Sequence, residues 1–70
     1  MEKEFIDKLN EELLKASKKG NANKVDYLIK LGAEVDVRGD YGQTPLLIAL
    51  NYEKNLVARV LLENGADFRL

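Results

Sequence analysis

Apolar residues recur every three or four positions from about Lys3 to Lys18, and this spacing predicts a helical segment. Acidic residues near its start and lysines near its end suit the helix dipole, and Gly20 can supply the left-handed exit of the helix. Asn10 leaves open a division of this segment into two shorter helices. The apolar stripe consists of Phe5, Ile6, Leu9, Leu13, Leu14 and Ala16.

The same kind of pattern predicts three shorter helices. They cover about Ala22 to Leu31, Thr44 to near Tyr52, and about Asn55 to Asn64. The third begins at a threonine followed by proline, which suit the cap and the first helical position. Between the second and third helices, Val35 to Gln43 contains two glycines and alternating valines, which favours an extended, hairpin-like loop. The residues predicted to face inward from the second and fourth helices are Val25, Leu28, Ile29, Val57, Val60, Leu61 and Leu62.

The second half of the chain repeats the first with a period of 33 residues. The tripeptides Gly32-Ala33-Glu34 and Gly65-Ala66-Asp67 are separated by this interval. A period of this length indicates stacked units, each burying an apolar face against the next. We therefore expect an all-α fold of two antiparallel helix pairs, stacked side by side and joined by the hairpin-like loop. The offset also pairs Leu13 with Leu46, Leu14 with Leu47, Ala16 with Ala49, Tyr27 with Val60, Leu28 with Leu61 and Ile29 with Leu62.

Two segments carry a specific resemblance to the ankyrin-repeat family. The segment from Gly42 to Ala49, GQTPLLIA, resembles the G-x-T-P-L-H-x-A signature of an ankyrin repeat, and VLLENGAD, from Val60 to Asp67, is similar to its closing V-L-L-x-x-G-A-D. The resemblance implies one domain over residues 1–70, a full repeat at 39–70 and an N-terminal capping-type repeat at 11–38. Residues 1–10 then form an extension that lengthens or covers the first helix, and no C-terminal cap is evident.

Several residues depart from the family pattern. Leu47 stands where the family has a histidine that links neighbouring loops, and Gly39 stands where an aspartate is common. Glu53-Lys54 replaces the usual Gly-His between the two helices of the repeat. This turn therefore lacks its left-handed glycine, and lysine is a poor N-cap, so its geometry is left open.

Composition argues against most kinds of catalytic or metal site. The chain has no histidine and no cysteine, which removes the usual general base, the thiolate nucleophile and most zinc sites. The segment from Asp36 to Gly42 fails as a calcium loop because Arg38 takes the place of a carboxylate ligand and no glutamate closes it. The chain is therefore predicted to bind no cofactor or metal and not to be an enzyme.

Charge and hydropathy limit the classes of partner that the chain is expected to bind. The net charge is −1, with 11 basic and 12 acidic residues, and a basic stripe typical of nucleic-acid binding is absent. The longest apolar run, Pro45 to Leu50, is too short to span a bilayer, and the N-terminus does not resemble a signal peptide. We expect a protein partner rather than nucleic acid or membrane, and cytoplasmic location is the default expectation.

The resemblance also implies a binding surface, because loop tips and first helices of ankyrin repeats line a concave face that holds partners. Tyrosine and arginine are typical anchors of such interfaces. A second set of lysines, between residues 15 and 30, is either a patch for an acidic partner or a solvated surface, and we favour the solvated surface. The residues that match the family's binding face are Lys18, Lys19, Arg38, Asp40, Tyr41, Gln43, Asn51 and Tyr52.

The predicted function is that of a non-catalytic module for protein–protein interaction. The alternative is a structural element that self-associates, since a repeat without a polar cap exposes the face on which the next repeat would stack. We expect Leu47, Ile48 or Val57 to line that face, and weak homo-oligomers to form through it.

Overall fold

The computed structural model describes residues 2–69, which form four α-helices and one short 3-10 turn without any strand. In chain order these are α1 (Glu2–Lys19), α2 (Ala22–Leu31), the 3-10 turn (Asp40–Gly42), α3 (Pro45–Asn51) and α4 (Asn55–Glu63). The predicted all-α fold is confirmed. The tip of the loop before α3 is closed by backbone hydrogen bonds within Gly39–Gln43, among them one from Gly39 N–H to the Gln43 carbonyl at 2.8 Å, so the loop resembles a hairpin only there.

The helices form two antiparallel pairs that stack side by side, as predicted. Helix α1 packs on α2 and α3 on α4, while α1 also lies beside α3 and α2 beside α4. Apolar side chains of all four helices meet in one core. The fully buried aliphatic residues at its centre are Leu13, Val25, Ala49, Val57 and Leu61.

Asn10 does not divide the first helix, so that alternative is wrong: α1 runs unbroken through it. Its side chain is buried and is hydrogen-bonded to Glu34 in the loop that follows α2. It accepts a hydrogen bond from the Glu34 backbone N–H at 2.8 Å and donates one to Glu34 Oε1 at 2.8 Å. A polar residue inside the apolar stripe therefore satisfies a partly buried backbone group of the loop.

The N-terminal extension is helical and lengthens α1. The position that matches Pro45, the first residue of α3, is Glu12, so α1 begins ten residues earlier, which adds about 15 Å of helix. Ile6 and Leu9 of this extra length lie close to Gly32, at the exit of α2. The extension begins at Met1 and the second repeat ends at Leu70, and both of these residues lie outside the described ones.

Two apolar residues predicted to be buried are not. Phe5 is 56% exposed and Leu62 is 45% exposed, whereas Ile29 and Val60 are half-buried at the edge of the core. Leu62 lies on a side of α4 that none of the helices within residues 2–69 covers. Its counterpart Ile29 packs against the core because the second helix pair lies over it.

The prediction for the uncovered face is also corrected. Val57 is fully buried and Ile48 lines the space between the repeats, so neither of them lies on that face. Leu47 is half-buried, and its counterpart Leu14 lies against Gly39 of the following unit, so the assignment of Leu47 stays a prediction. The apolar side chains left exposed beyond the second pair are Leu50, Leu62 and Phe68.

The turns inside the two helix pairs have the same backbone conformation but different sequences. Each is closed by the same bond, from Asn21 N–H to the Ala16 carbonyl at 3.0 Å and from Lys54 N–H to the Ala49 carbonyl at 2.7 Å. The left-handed position is Gly20 in the first turn, with φ +85°, and Glu53 in the second, with φ +57°. The geometry is therefore kept without the family's glycine.

Candidate protein-binding groove

An open groove of about 820 Å³ runs between α1, the start of the second repeat and the far end of α3. Its apolar lining comes from Leu14, Val37 and Ile48, and its rim carries charged and aromatic side chains. The polar and aromatic lining residues are Asp7, Asn10, Glu11, Lys15, Lys18, Arg38, Asp40, Tyr41, Gln43 and Tyr52.

The loop that forms one wall is held by its own hydrogen bonds. Besides the bond between Gly39 and Gln43, the Gly42 N–H donates to the Gly39 carbonyl at 3.0 Å, and Arg38 Nη1 donates to the Gly42 carbonyl at 2.8 Å. Tyr41 sits at the tip with its side chain 97% exposed and its backbone left-handed at φ +62°. This conformation is uncommon for a residue other than glycine, and the hydrogen bonds on either side of Tyr41 hold it in place.

Close packing between Gly39 and Leu14 sets the position of the loop on α1. A Cβ atom at residue 39 would lie 2.9 Å from Leu14 Cδ1, nearer than side chains approach each other. Glycine therefore lets the loop approach the helix, which gives a physical reason for the departure from the family's aspartate at this position.

The opposite end of the groove is closed by a contact between the two repeats. The ammonium group of Lys18 lies 5.3 Å from the ring centroid of Tyr52, within the range of a cation–π interaction. This contact joins the last turn of α1 to the end of α3 and leaves both side chains exposed. The aromatic ring is thereby held at the groove edge.

Six of the eight residues predicted from the resemblance line this groove: Lys18, Arg38, Asp40, Tyr41, Gln43 and Tyr52. Lys19 and Asn51 are exposed but do not contribute to its lining. Sequence reasoning missed three charged residues of α1, namely Asp7, Glu11 and Lys15. Their spacing of four places them on one face with Lys18, a signal that the sequence contains but that looks like an ordinary solvated helix face.

The α1 wall changes sign along its length. Asp7 and Glu11 are followed by Lys15 and Lys18, over about 16 Å of helix. Within residues 2–69, Asp7, Glu11 and Lys18 take part in no ion pair, and Lys15 only approaches Glu12 at 3.9 Å. These charges are consequently available to a partner.

The carboxyl groups with shifted pKa values lie outside the groove. A hydrogen bond from Lys24, together with its charge, lowers the pKa of Glu12, and hydrogen bonds from Lys30 and Asn64 lower that of Asp26. Hydrogen bonds from Arg69 lower the pKa of Asp67. All three shifts favour the ionised form, which suits ion pairing rather than proton donation.

The described residues offer two further observations about the kind of site. Among residues 2–69, no three acidic side chains are grouped so that they could ligate a metal ion. None of the helices within the same range has the length and apolar composition required to cross a bilayer.

Comparison with known proteins gives a match along nearly the whole chain. The family model for ankyrin repeats, described as three copies, matches residues 3–70. The match includes most of the N-terminal extension and both helix pairs.

Three curated proteins are similar to the chain. A putative ankyrin repeat-containing protein of Treponema pallidum is 33% identical over 67 residues, covering 89% of this chain and 22% of that protein. An ankyrin repeat domain-containing protein of Stachybotrys chartarum, SAT10, is 35% identical over 70 residues, covering 100% and 4%. The human mitochondrial disaggregase is 38% identical over 55 residues, covering 79% and 8%. The chain thus spans less than a quarter of each of these relatives.

Proposed function

The chain belongs to the ankyrin-repeat family, and on that premise we propose that it is a non-catalytic module that binds a protein partner through the groove. Ankyrin repeats generally serve as modules of protein–protein interaction. The observation that carries the proposal is the fully exposed, left-handed Tyr41 at the groove rim, opposite the ring of Tyr52 held by Lys18.

The mechanism is rigid presentation of a preformed surface. Binding costs free energy when side chains and loops must become ordered. Because internal hydrogen bonds already fix this wall of the groove, less free energy is lost in ordering it when a partner binds. The loop has such bonds at Gly39, Gly42 and Arg38. Tyrosine adds a large contact area with few rotatable bonds, and its hydroxyl group can still form a hydrogen bond.

The charges of the groove favour a protein over a nucleic acid as the partner. Asp7, Glu11 and Asp40 face the same space as Lys15, Lys18 and Arg38, so the lining carries equal numbers of acidic and basic residues. A polyanion would be repelled by half of this lining. A partner segment with basic residues near Asp7 and acidic residues near Lys18 complements both halves.

Site-specific photo-crosslinking tests the proposal directly. A photoreactive phenylalanine analogue is placed at Tyr41, at Tyr52 or at Tyr27, and each variant is irradiated in extract of the source cell. Tyr27 is the matched control, because it is an exposed tyrosine of α2 that does not line the groove. We expect the same protein adduct at positions 41 and 52 and none at position 27.

The double substitution Tyr41→Ala and Tyr52→Ala provides the quantitative arm. We expect it to weaken binding of the crosslinked partner at least about tenfold, as for interface anchors, while the unfolding midpoint stays close to that of the parent. Equal crosslinking at all three positions, or unchanged affinity of the double variant, would exclude the groove as the binding site.

A further inference from the structure

The exit of α4 contains an asparagine followed by a glycine, Asn64 and Gly65. Asparagine is a chemically labile residue, and a glycine after it favours attack of the next backbone nitrogen on the side-chain amide, because no Cβ atom hinders the approach. Every other asparagine of the chain precedes a residue that has a side chain. The site is also open to water, since Gly65 is exposed and a Cβ atom placed on it would meet no atom within 4 Å among the described residues beyond its chain neighbours.

The side chain of Asn64 is held by the first helix pair. Its Nδ2 donates to Asp26 Oδ1 at 3.2 Å, and its Oδ1 accepts a hydrogen bond from Lys30 Nζ at 3.0 Å. The attacking nitrogen is held as well, because the Gly65 N–H donates to the Leu62 carbonyl at 3.1 Å. The amide carbon can meet this nitrogen only if the side chain turns back toward its own backbone, which breaks the hydrogen bonds to Asp26 and Lys30.

We propose that Asn64 is a site of spontaneous deamidation, and that the contact between the two helix pairs limits the rate of this reaction in the folded chain. The Gly65 nitrogen forms a bond to Asn64 Cγ, and the side-chain amino group takes up the proton of that nitrogen and leaves as ammonia. Water then opens the resulting cyclic imide at either of its carbonyl carbons. The product at position 64 is aspartate or isoaspartate, and solvent water is the co-reactant.

Local opening of this contact is enough for the reaction to start. Native proteins open locally at a lower free energy than global unfolding requires, most easily where contacts are exposed. The side chains of Lys30 and Asp26 are 65% and 49% exposed, so their bonds to Asn64 can break while Val57 and Leu61 stay packed in the core. The observed rate is then the rate of the unconstrained sequence multiplied by the fraction of molecules in which the contact is open.

The product of the reaction weakens the contact in which it forms. A carboxylate at position 64 cannot donate a hydrogen bond to Asp26 or to the Val60 carbonyl, which Asn64 Nδ2 reaches at 2.8 Å, and it adds a second negative charge beside Asp26. Lys30 offsets part of the repulsion, because its ammonium group lies 3.0 Å from an oxygen of each partner. Isoaspartate also lengthens the backbone at the exit of α4. Deamidation therefore loosens the second helix pair from the first.

Peptide mapping by mass spectrometry, during incubation of the purified chain at neutral pH, tests the site and its control. We expect deamidation at Asn64 before any other asparagine, and Asp26→Ala should accelerate it at least about fivefold, as for the loss of one net hydrogen bond. Glu12→Ala is the matched control, because it removes a carboxylate that is paired with Lys24 at the same distance of 3.0 Å, but in the contact between α1 and α2. Equal rates in the two variants, or earlier deamidation at another asparagine, would overturn the proposal.

The variant Asn64→Asp is identical to one product of the reaction and tests its consequence. We expect the equilibrium constant for unfolding to rise about fivefold in urea melts, and less at high salt, which screens the repulsion from Asp26. Asn51→Asp is the matched control, because it makes the same charge change at the end of α3, whereas Asn64 lies at the end of α4. If both variants were equally destabilised, the loss would come from a negative charge at a helix C-terminus, and the proposed weakening of the contact would be wrong. The groove residues are unchanged in all these variants, so binding at the groove is tested independently.

Discussion

The two helix pairs share the backbone conformation of their turns, and the differences between them lie in their helix lengths and in what surrounds each pair. The first pair is lengthened by the α1 extension and is covered on one side by the second pair, and its turn contains Gly20 and the capping residue Asn21. The second pair is covered on one side, and its turn contains a left-handed Glu53 followed by Lys54, which does not cap α4 with its side chain. The comparison indicates that the repeat geometry is fixed by shared apolar and backbone contacts. Matching positions of the two pairs can therefore differ in burial and in the partners of their side chains.

Among the substitutions, Ser17→Leu should have the largest effect on the stability of the fold. Ser17→Leu puts a larger side chain into a fully buried site on α1, and overpacking of this kind destabilises by about 1–3 kcal/mol. We expect the free energy of unfolding to fall by about 3 kcal/mol, the upper end of that range, as measured by urea denaturation at low protein concentration.

The reciprocal change is the control for that prediction. Leu50→Ser acts on the exposed counterpart, where substitutions usually change stability by no more than about 0.5 kcal/mol. If Leu50→Ser were as destabilising as Ser17→Leu, the two positions would not differ in their surroundings as the structure indicates.

Removal of the Asn10 amide should have the next largest effect. Asn10→Ala leaves the Glu34 backbone N–H without its side-chain acceptor in a partly buried site, and such a loss costs about 1–3 kcal/mol. We expect stability to be lower by about 2 kcal/mol, near the middle of that range, and hydrogen exchange at the Glu34 amide to be faster.

Gln43, the counterpart of Asn10, offers the contrast. The amide N–H that corresponds to Glu34 is that of Asp67, and it donates to Asp36 of the preceding loop at 3.1 Å instead of to Gln43. Gln43→Ala should therefore leave stability nearly unchanged, and an effect as large as that of Asn10→Ala would contradict this assignment of partners.

Glu53→Gly should stabilise the protein. A non-glycine residue in the left-handed region costs about 1–2 kcal/mol, part of which is offset because glycine makes the unfolded chain more flexible. We expect a gain of about 1 kcal/mol in denaturant unfolding. The mirror experiment is Gly20→Ala, which should destabilise, since φ is +85° and the added Cβ would lie 2.9 Å from Lys54 Cδ. A loss of stability in Glu53→Gly would show that the turn holds its shape for another reason.

Much of the architecture could be predicted from the sequence because it depends on repeated local signals. The period of 33 residues, the Thr44-Pro45 start and the glycines after α2 and α4 indicate the helices and their stacking. Asn10 was harder, because a polar residue inside a helix looks the same whether it interrupts the helix or reaches a loop 24 residues away. The turn at Glu53 could not be predicted because the conformation of a single residue there is imposed by the surrounding helices.

Only those groove residues that belong to the repeat motif of the family could be predicted from the sequence. The loop tip and Tyr52 follow from the resemblance, but Asp7 lies in the extension, where the repeat pattern supplies no counterpart. The uncovered face of the second pair was wrongly assigned to Ile48 and Val57 because amphipathic spacing identifies an apolar side of a helix but does not say which neighbour covers it. Leu50 and Ser17 show this most clearly: one register position holds an exposed leucine in one pair and a buried serine in the other.

The smallest expected effect on stability is electrostatic. It arises from the carboxylate of Asp26, whose counterpart in the second pair is the basic residue Arg59. Hydrogen bonds from Lys30 and Asn64 lower the pKa of Asp26 from its usual 3.8, so the ionised carboxylate stabilises the fold. This contribution is fully present above the unfolded-state pKa and disappears as the pH falls through the lower folded-state value. Asp26→Asn should accordingly reduce stability slightly at neutral pH and flatten its decline below about pH 4. NMR titration of the Asp26 carboxyl carbon measures the pKa, and urea melts between about pH 2 and pH 7 follow the stability. Because this carboxylate joins α2 to Asn64, parallel pH profiles for the parent and the variant would mean that the charge of Asp26 contributes nothing to the contact between the two helix pairs.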